Sequence, residues 1–204
     1  MTAEVYFQDI AKSTTYVGSE PLTLADVKAH LYIDGTQDDT LVGELITQCR
    51  SAIEDFCHIS IVPKSVTATI SIDNVPHLSY QSVLTAYQAY VAIELPLGPV
   101  GSVSSVSWID DQQNTNILVA GQDYFLRGAS FQTLYVNNSY NNLIVVYETG
   151  YSVVPDALLL AIKNECSFRF ENRGDGLNRY ASQNVGLSEG AEFLATPYKR
   201  LTWL

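Results

Sequence analysis

The sequence predicts an α+β fold: a helical bundle with an inserted, mostly antiparallel β region and a C-terminal tail. Three observations lead there. Residues 21–62 and 155–173 space their apolar side chains as helices do. Residues 64–150, between them, alternate apolar and polar side chains and are broken by turn clusters. Residues 174–204 do neither, opening on a Gly-rich stretch and closing on aromatic residues and cations. Helices segregated from strands make an α+β arrangement, and 204 residues suit a single domain, 1–204, with a large insertion.

Each element has its own local signal. VYF at 5–7 and TTYV at 14–17 read as short strands. Thr23 is placed to cap a helix, and Asp26 completes a capping box. Leu22 and Val27 take the hydrophobic-staple positions around that cap, and Asp34-Gly35 ends the helix. Asp38 and Asp39 open a second helix, where its dipole favours negative charge. Its apolar stripe runs through Leu41, Val42, Leu45, Ile46, Cys49, Ile53 and Phe56, with Glu44, Gln48, Arg50 and Asp55 on the opposite face. In the β region Val66, Ala68, Ile70 and Ile72 alternate with polar residues. Further strands are expected at 91–95, 102–109, 123–127, 133–136 and 143–148, separated by the turns LGPVG, DDQQN and NNSYNN. This insertion, polar and rich in turns, is expected to carry contacts more than fold stability. Pro155 sits at the start of a third helix. Leu158, Leu159, Ile162, Cys166 and Phe170 form its apolar face, widened by Leu160, Ala161 and Phe168. Arg169 and Arg173 suit its C-terminal dipole, and Gly174 can end it. A short helix is expected from Ser188 to Leu194.

Composition narrows the function. Apolar residues make up 47% of the chain, and no apolar run approaches the roughly 20 residues that span a bilayer, so no membrane role is expected. MTAEVYFQDI lacks the basic and apolar regions of a signal peptide, which implies synthesis and use in a cytoplasm. Cys49, Cys57 and Cys166 read as buried free thiols. The net charge of −11 lies entirely in residues 1–154; residues 155–204 are balanced. An acidic body opposes phosphate binding and leaves DNA free to pass without sticking. Thirteen tyrosines suit contact surfaces that are apolar and still hydrogen-bond.

Catalytic and metal patterns are missing. His30, His58 and His77 stand singly. The stretch Asp34–Asp39 lacks the glycine and glutamate of a calcium loop and reads as a turn into an acidic helix start. No phosphate-cradling loop or nucleophile elbow occurs. Arg173-Gly174-Asp175 and Asn137-Asn138-Ser139 read as a helix end and a loop rather than as an adhesion tripeptide and a glycosylation site. No enzyme and no cofactor is expected.

The C-terminus is the candidate site. Phe193, Leu194, Pro197, Tyr198, Leu201 and Trp203 accompany Lys199 and Arg200. Terminal residues fray unless tied down. Such a segment either folds back on its own core or binds a partner's groove. Trp, Tyr and Arg favour the second reading, because they dominate interface energies. The expectation is a flexible loop and docking tail over 174–204, which truncation after Ala195 would remove without unfolding the chain.

The order of segments resembles a known family. PLTLADVKAHLYID, DDTLVGELITQCRSAIEDFC, LPLGPVGSVSSVSWID, LIVVYETGYSVVPDALLLAIKNECSFRFENR and EFLATPYKRL are similar, in that order, to stretches of the tailed-phage head–tail connectors. These include HK97-type connectors and the related adaptors of gene transfer agents. Residues 73–90 are longer than that pattern. The resemblance implies a structural adaptor in the virion, made in the bacterial host cytoplasm. It implies a homo-oligomeric ring, commonly of twelve subunits, docked on the portal protein, with the next tail or neck component on its other side. Genomic DNA would pass through the lumen without specific binding, and the tail residues named above would be the portal contacts. Two alternatives remain: a tail-side stopper or tail-completion protein, and a carbohydrate-binding module built on Trp108, Tyr124 and Tyr135.

Overall fold

The structure, a computed structural model, describes residues 7–72, 90–129, 131–137, 140, 142–172 and 186–200. Strand β1 (Phe7–Tyr16) is followed by helices α1 (Leu24–Leu31) and α2 (Asp39–Cys57). Strands β2 (Lys64–Ile72), β3 (Tyr90–Glu94), β4 (Val100–Ile109), β5 (Thr115–Ile117), β6 (Tyr124–Arg127), β7 (Thr133–Asn137) and β8 (Asn142–Thr149) come next. Helices α3 (Asp156–Glu171) and α4 (Glu189–Ala195) and a 3-10 turn (Thr196–Tyr198) follow. This is a mixed α+β fold. Most of the stretch longer than the family pattern, 73–89, lies outside the described residues.

The chain divides into two compact units, residues 1–17 with 63–150 and residues 18–62 with 151–204. Helices α1 to α4 make up the second unit. The capping box forms as expected: Thr23 Oγ1 accepts the Asp26 N–H at 3.2 Å, and Asp26 Oδ2 accepts the Thr23 N–H at 3.0 Å. Tyr32 and His58, both left-handed, end α1 and α2. The stripe on α2 buries Val42, Leu45, Ile46, Cys49, Ile53 and Cys57, whereas Leu41 and Phe56 are half-buried at its margins. From α3, Leu158, Ala161, Ile162 and Cys166 close this core. Leu160 and Phe168, expected to widen the α3 face, are exposed instead. Two residues past Leu158 the helix has already turned away from the core.

Arg50 departs from its expected place on the polar face of α2. It is 5% exposed. Its Nε donates to Glu20 Oε2 at 2.8 Å, its Nη2 to Glu20 Oε1 at 3.1 Å, and its Nη1 to Glu54. Glu54, also buried, accepts the Ile61 and Val62 N–H groups at 2.7 and 3.4 Å. The buried charges are tolerable because each is paired and hydrogen-bonded. The cluster ties the residues before α1 and the turn after α2 to the middle of α2. The three cysteines are free and buried. Contact with Cys166 and burial hold the Cys49 thiol far above its usual range, and burial pushes Cys57 up to about 11.

The other unit is built of two antiparallel sheets, ordered β1-β2-β8-β4-β5 and β3-β7-β6. The alternating run from Val66 to Ile72 forms β2 and the strands expected between residues 91 and 148 all form; of the short strands expected at 5–7 and 14–17, residues 5–6 lie outside the described residues and 14–16 fall within the longer β1. Two features were missed. Nine of the ten residues of β1 pair along the whole of β2, Gln8 falling at a register shift, so the N-terminal segment belongs with the β region. Its residues are mostly polar, and the hydrogen bonds of β2 hold them extended. Strand β5 is three exposed residues with no pattern to read. Asp110 sets the turn before it, its Oδ1 accepting the Gln112 and Asn114 N–H groups at 2.9 and 2.8 Å. Both sheets share one core, with Val66, Ala68, Ile70, Val106, Leu143, Val145 and Tyr147 from the larger and Ile93, Tyr124, Leu134 and Val136 from the smaller. The β region is thus more than a carrier of contacts; it has a core of its own.

Candidate partner-docking site

The C-terminal segment is built onto the helical unit. Glu165, 1% exposed on α3, accepts the Arg169 Nε–H and the Ser188 N–H, each at 2.8 Å. This fixes the start of α4. Along α4 the small side chains Ala191 and Ala195 are buried and let the helix lie close to its neighbours. The Ala195 carbonyl accepts from Cys57 Sγ at 3.4 Å, and the Cys57 carbonyl accepts the Arg200 N–H at 2.8 Å. Lys199 Nζ lies 4.2 Å from the centre of the Phe56 ring. Burial is the main cause that raises the nearby Tyr151 phenol, with the Tyr198 and Cys57 groups adding to it.

Residues 189–200 are therefore held against their own helices rather than extended as a free tail. The reason is chemical: two alanines, a backbone hydrogen bond and a ring-stacked lysine all find partners within the unit. Four of the expected contact residues are nevertheless brought together. Phe193, Leu194, Pro197 and Tyr198 line a shallow, mostly apolar pocket of about 370 Å³ with Ala157 and Thr196. Phe193 stands at its edge, 79% exposed. Lys199 is exposed beside the pocket. Arg200, expected among the portal contacts, is buried. Leu201 and Trp203 lie outside the described residues. Ala157 was missed because nothing marks an alanine in the first turn of α3 as a pocket wall. Among the described residues, no three His, Cys, Asp or Glu side chains converge as a metal site would need.

The aromatic trio offered for carbohydrate binding does not assemble. Phe125, not Tyr124, pairs with Tyr135 in register, so alternation sends Tyr124 into the core and Tyr135 to the outer face. Trp108 lies in the other sheet against Tyr140, with ring centroids 5.2 Å apart.

Residues 21–146 match the model of the family described as phage gp6-like head–tail connector protein. The chain belongs to that family. The connector also shares its fold with chains of gene transfer agent (GTA) particles. One is in the neck of an empty particle computed with C6 symmetry, with a TM-score of 0.65 and 16% identity. Another is in the neck of a native particle computed with C12 symmetry, at 0.63 and 16%. A third is in the virion of a native particle, at 0.62 and 18%. Each likeness covers 94% of the connector and 97% of the other chain. No curated protein matches it. As a member of this family the connector has a structural role.

Proposed function

We propose that the connector assembles as a homo-oligomeric ring in the virion neck, docked on the portal, and links the DNA-filled capsid to the tail or neck. The observation that carries this reading is the likeness over 94% of the chain to chains in necks computed with C6 and C12 symmetry, joined to family membership. Twelve copies is the number that C12 symmetry favours. The chain works without catalysis, and its portal contact is the Phe193–Tyr198 pocket, which takes an apolar side chain of the portal. Phe193 and Tyr198 supply the aromatic area, and Lys199 beside them tunes association with an acidic rim. Each contact is modest, and ring symmetry multiplies it. Genomic DNA passes through the lumen unbound, because an acidic chain repels phosphate. The next neck or tail component takes the other side.

Mixing the connector with its portal and imaging the complex tests the reading. We expect a ring on the portal, and loss of that ring in Phe193→Asp, which removes an exposed ring while leaving the fold intact. A connector that binds only tail components would instead make it a stopper or tail-completion protein. Undiminished portal binding by Phe193→Asp would move the contact elsewhere.

A further inference from the structure

The outer face of the three-stranded sheet carries a second, different surface. Its inner face is apolar: Ile93, Leu134, Val136 and Tyr124 are buried. The alternate positions turn outward and hold Tyr90, Phe125, Tyr135 and Arg127, with exposed Glu94 in the same cross-strand row as Arg127. Phe125 and Tyr135, neighbours in register, stack with centroids 4.9 Å apart and planes 3° from parallel. Tyr90, on the edge strand β3, meets Phe125 edge-on at 5.1 Å across the middle strand. Exposed Arg127 lies over both stacked rings, 5.2 and 5.5 Å from their centroids. Among the described residues no carboxylate pairs with it. A guanidinium held against two rings is already partly ordered, so less freedom is lost when its donors meet a carboxylate.

Charge identifies the occupant. In residues 1–17 and 63–150 Arg127 is the sole arginine, and three Lys/Arg face eight Asp/Glu. Exposed acids of the same unit include Asp111 and Glu148. A closed ring needs a heterologous contact, in which one patch meets a different, complementary patch on the next copy. The cationic–aromatic patch and the exposed acids elsewhere on the same unit offer such a pair. We infer that the Tyr90–Phe125–Tyr135–Arg127 face binds an acidic surface of a second copy of this chain. This rests on the ring reading above and names the surface through which the ring closes. Stacked rings with an arginine also suit single-stranded nucleic acid, but the surrounding acids oppose phosphate.

The test uses full-length chain carrying Tyr90→p-benzoylphenylalanine, irradiated both in assembled particles and as purified protein, with adducts identified by mass spectrometry. We expect a chain–chain adduct, lost when Arg127→Glu is added. Adducts only to another particle protein or to DNA, or no chain–chain adduct in either preparation, would overturn the inference. So would a chain–chain adduct that survives Arg127→Glu. Absence of the chain from particles, with the adduct still formed by purified protein, would overturn the neck reading and leave this surface standing.

Discussion

Arg50 illustrates how a single side chain can be misread by periodicity and rescued by partners. Its position on α2 faces Glu20 in one direction and Glu54, one turn on, in the other. Replacing it with alanine strands a buried Glu54 carboxylate that also holds the Ile61 and Val62 N–H groups. We expect Arg50→Ala to cost about 3–5 kcal/mol, the range for breaking a buried pair by removing one partner. Urea denaturation of the full chain measures it. A loss below about 1 kcal/mol would mean that the pair behaves like an exposed one. Leu45 and Ile53 on the same helix follow the spacing because their apolar side chains simply pack into the core.

At the scale of elements, α4 is too short to hold itself. Isolated helices under about 12 residues are marginal in water, so its seven residues depend on what they pack against. Glu165 supplies the anchor at its start and Cys57 at its end. Glu165→Ala should therefore speed amide exchange across 189–195 while leaving α2 protected, and should weaken portal docking by loosening the pocket. Equal exchange rates in wild type and variant would show that the alanine packing alone suffices. The same contacts bear on truncation after Ala195. It removes the Arg200 N–H bond to Cys57 and the Lys199 stack on Phe56, so the cut destabilises the helical unit instead of sparing it. The pocket residues Phe193, Leu194, Pro197 and Tyr198 were legible from their type and clustering; that they form a wall rather than a tail was not, because their partners on α3 and in Cys57 are far away in sequence.

For the whole molecule, the two units each own a core. Leu143 is fully buried among the strands and Ile162 among the helices. Leu143→Ala and Ile162→Ala should each cost about 2–5 kcal/mol, the range for emptying a buried aliphatic site. Chemical denaturation gives the size, and amide exchange should accelerate first in the strands for one and in the helices for the other. A loss at Leu143 of under about 1 kcal/mol would return the β region to a peripheral insertion.

By itself the sequence determined the local features: the Thr23–Asp26 cap, the α2 stripe, the strands from Lys64 to Thr149 other than β5, the buried thiols and the acidic balance. Each depends on residues a few positions apart, where spacing and chemistry act alone. The order of those segments also carried the family. Tertiary structure decided what depends on distant partners. The polar β1 is a strand because β2 lies beside it. Arg50 and Glu165 are buried because carboxylates, guanidinium groups and backbone N–H groups meet them there. Residues 193–198 became a pocket wall because the alanines of α4 pack against the other helices and the Cys57 carbonyl accepts the Arg200 N–H. Pairings across long stretches of chain leave no periodic trace in a sequence, and only the folded chain brings their members together.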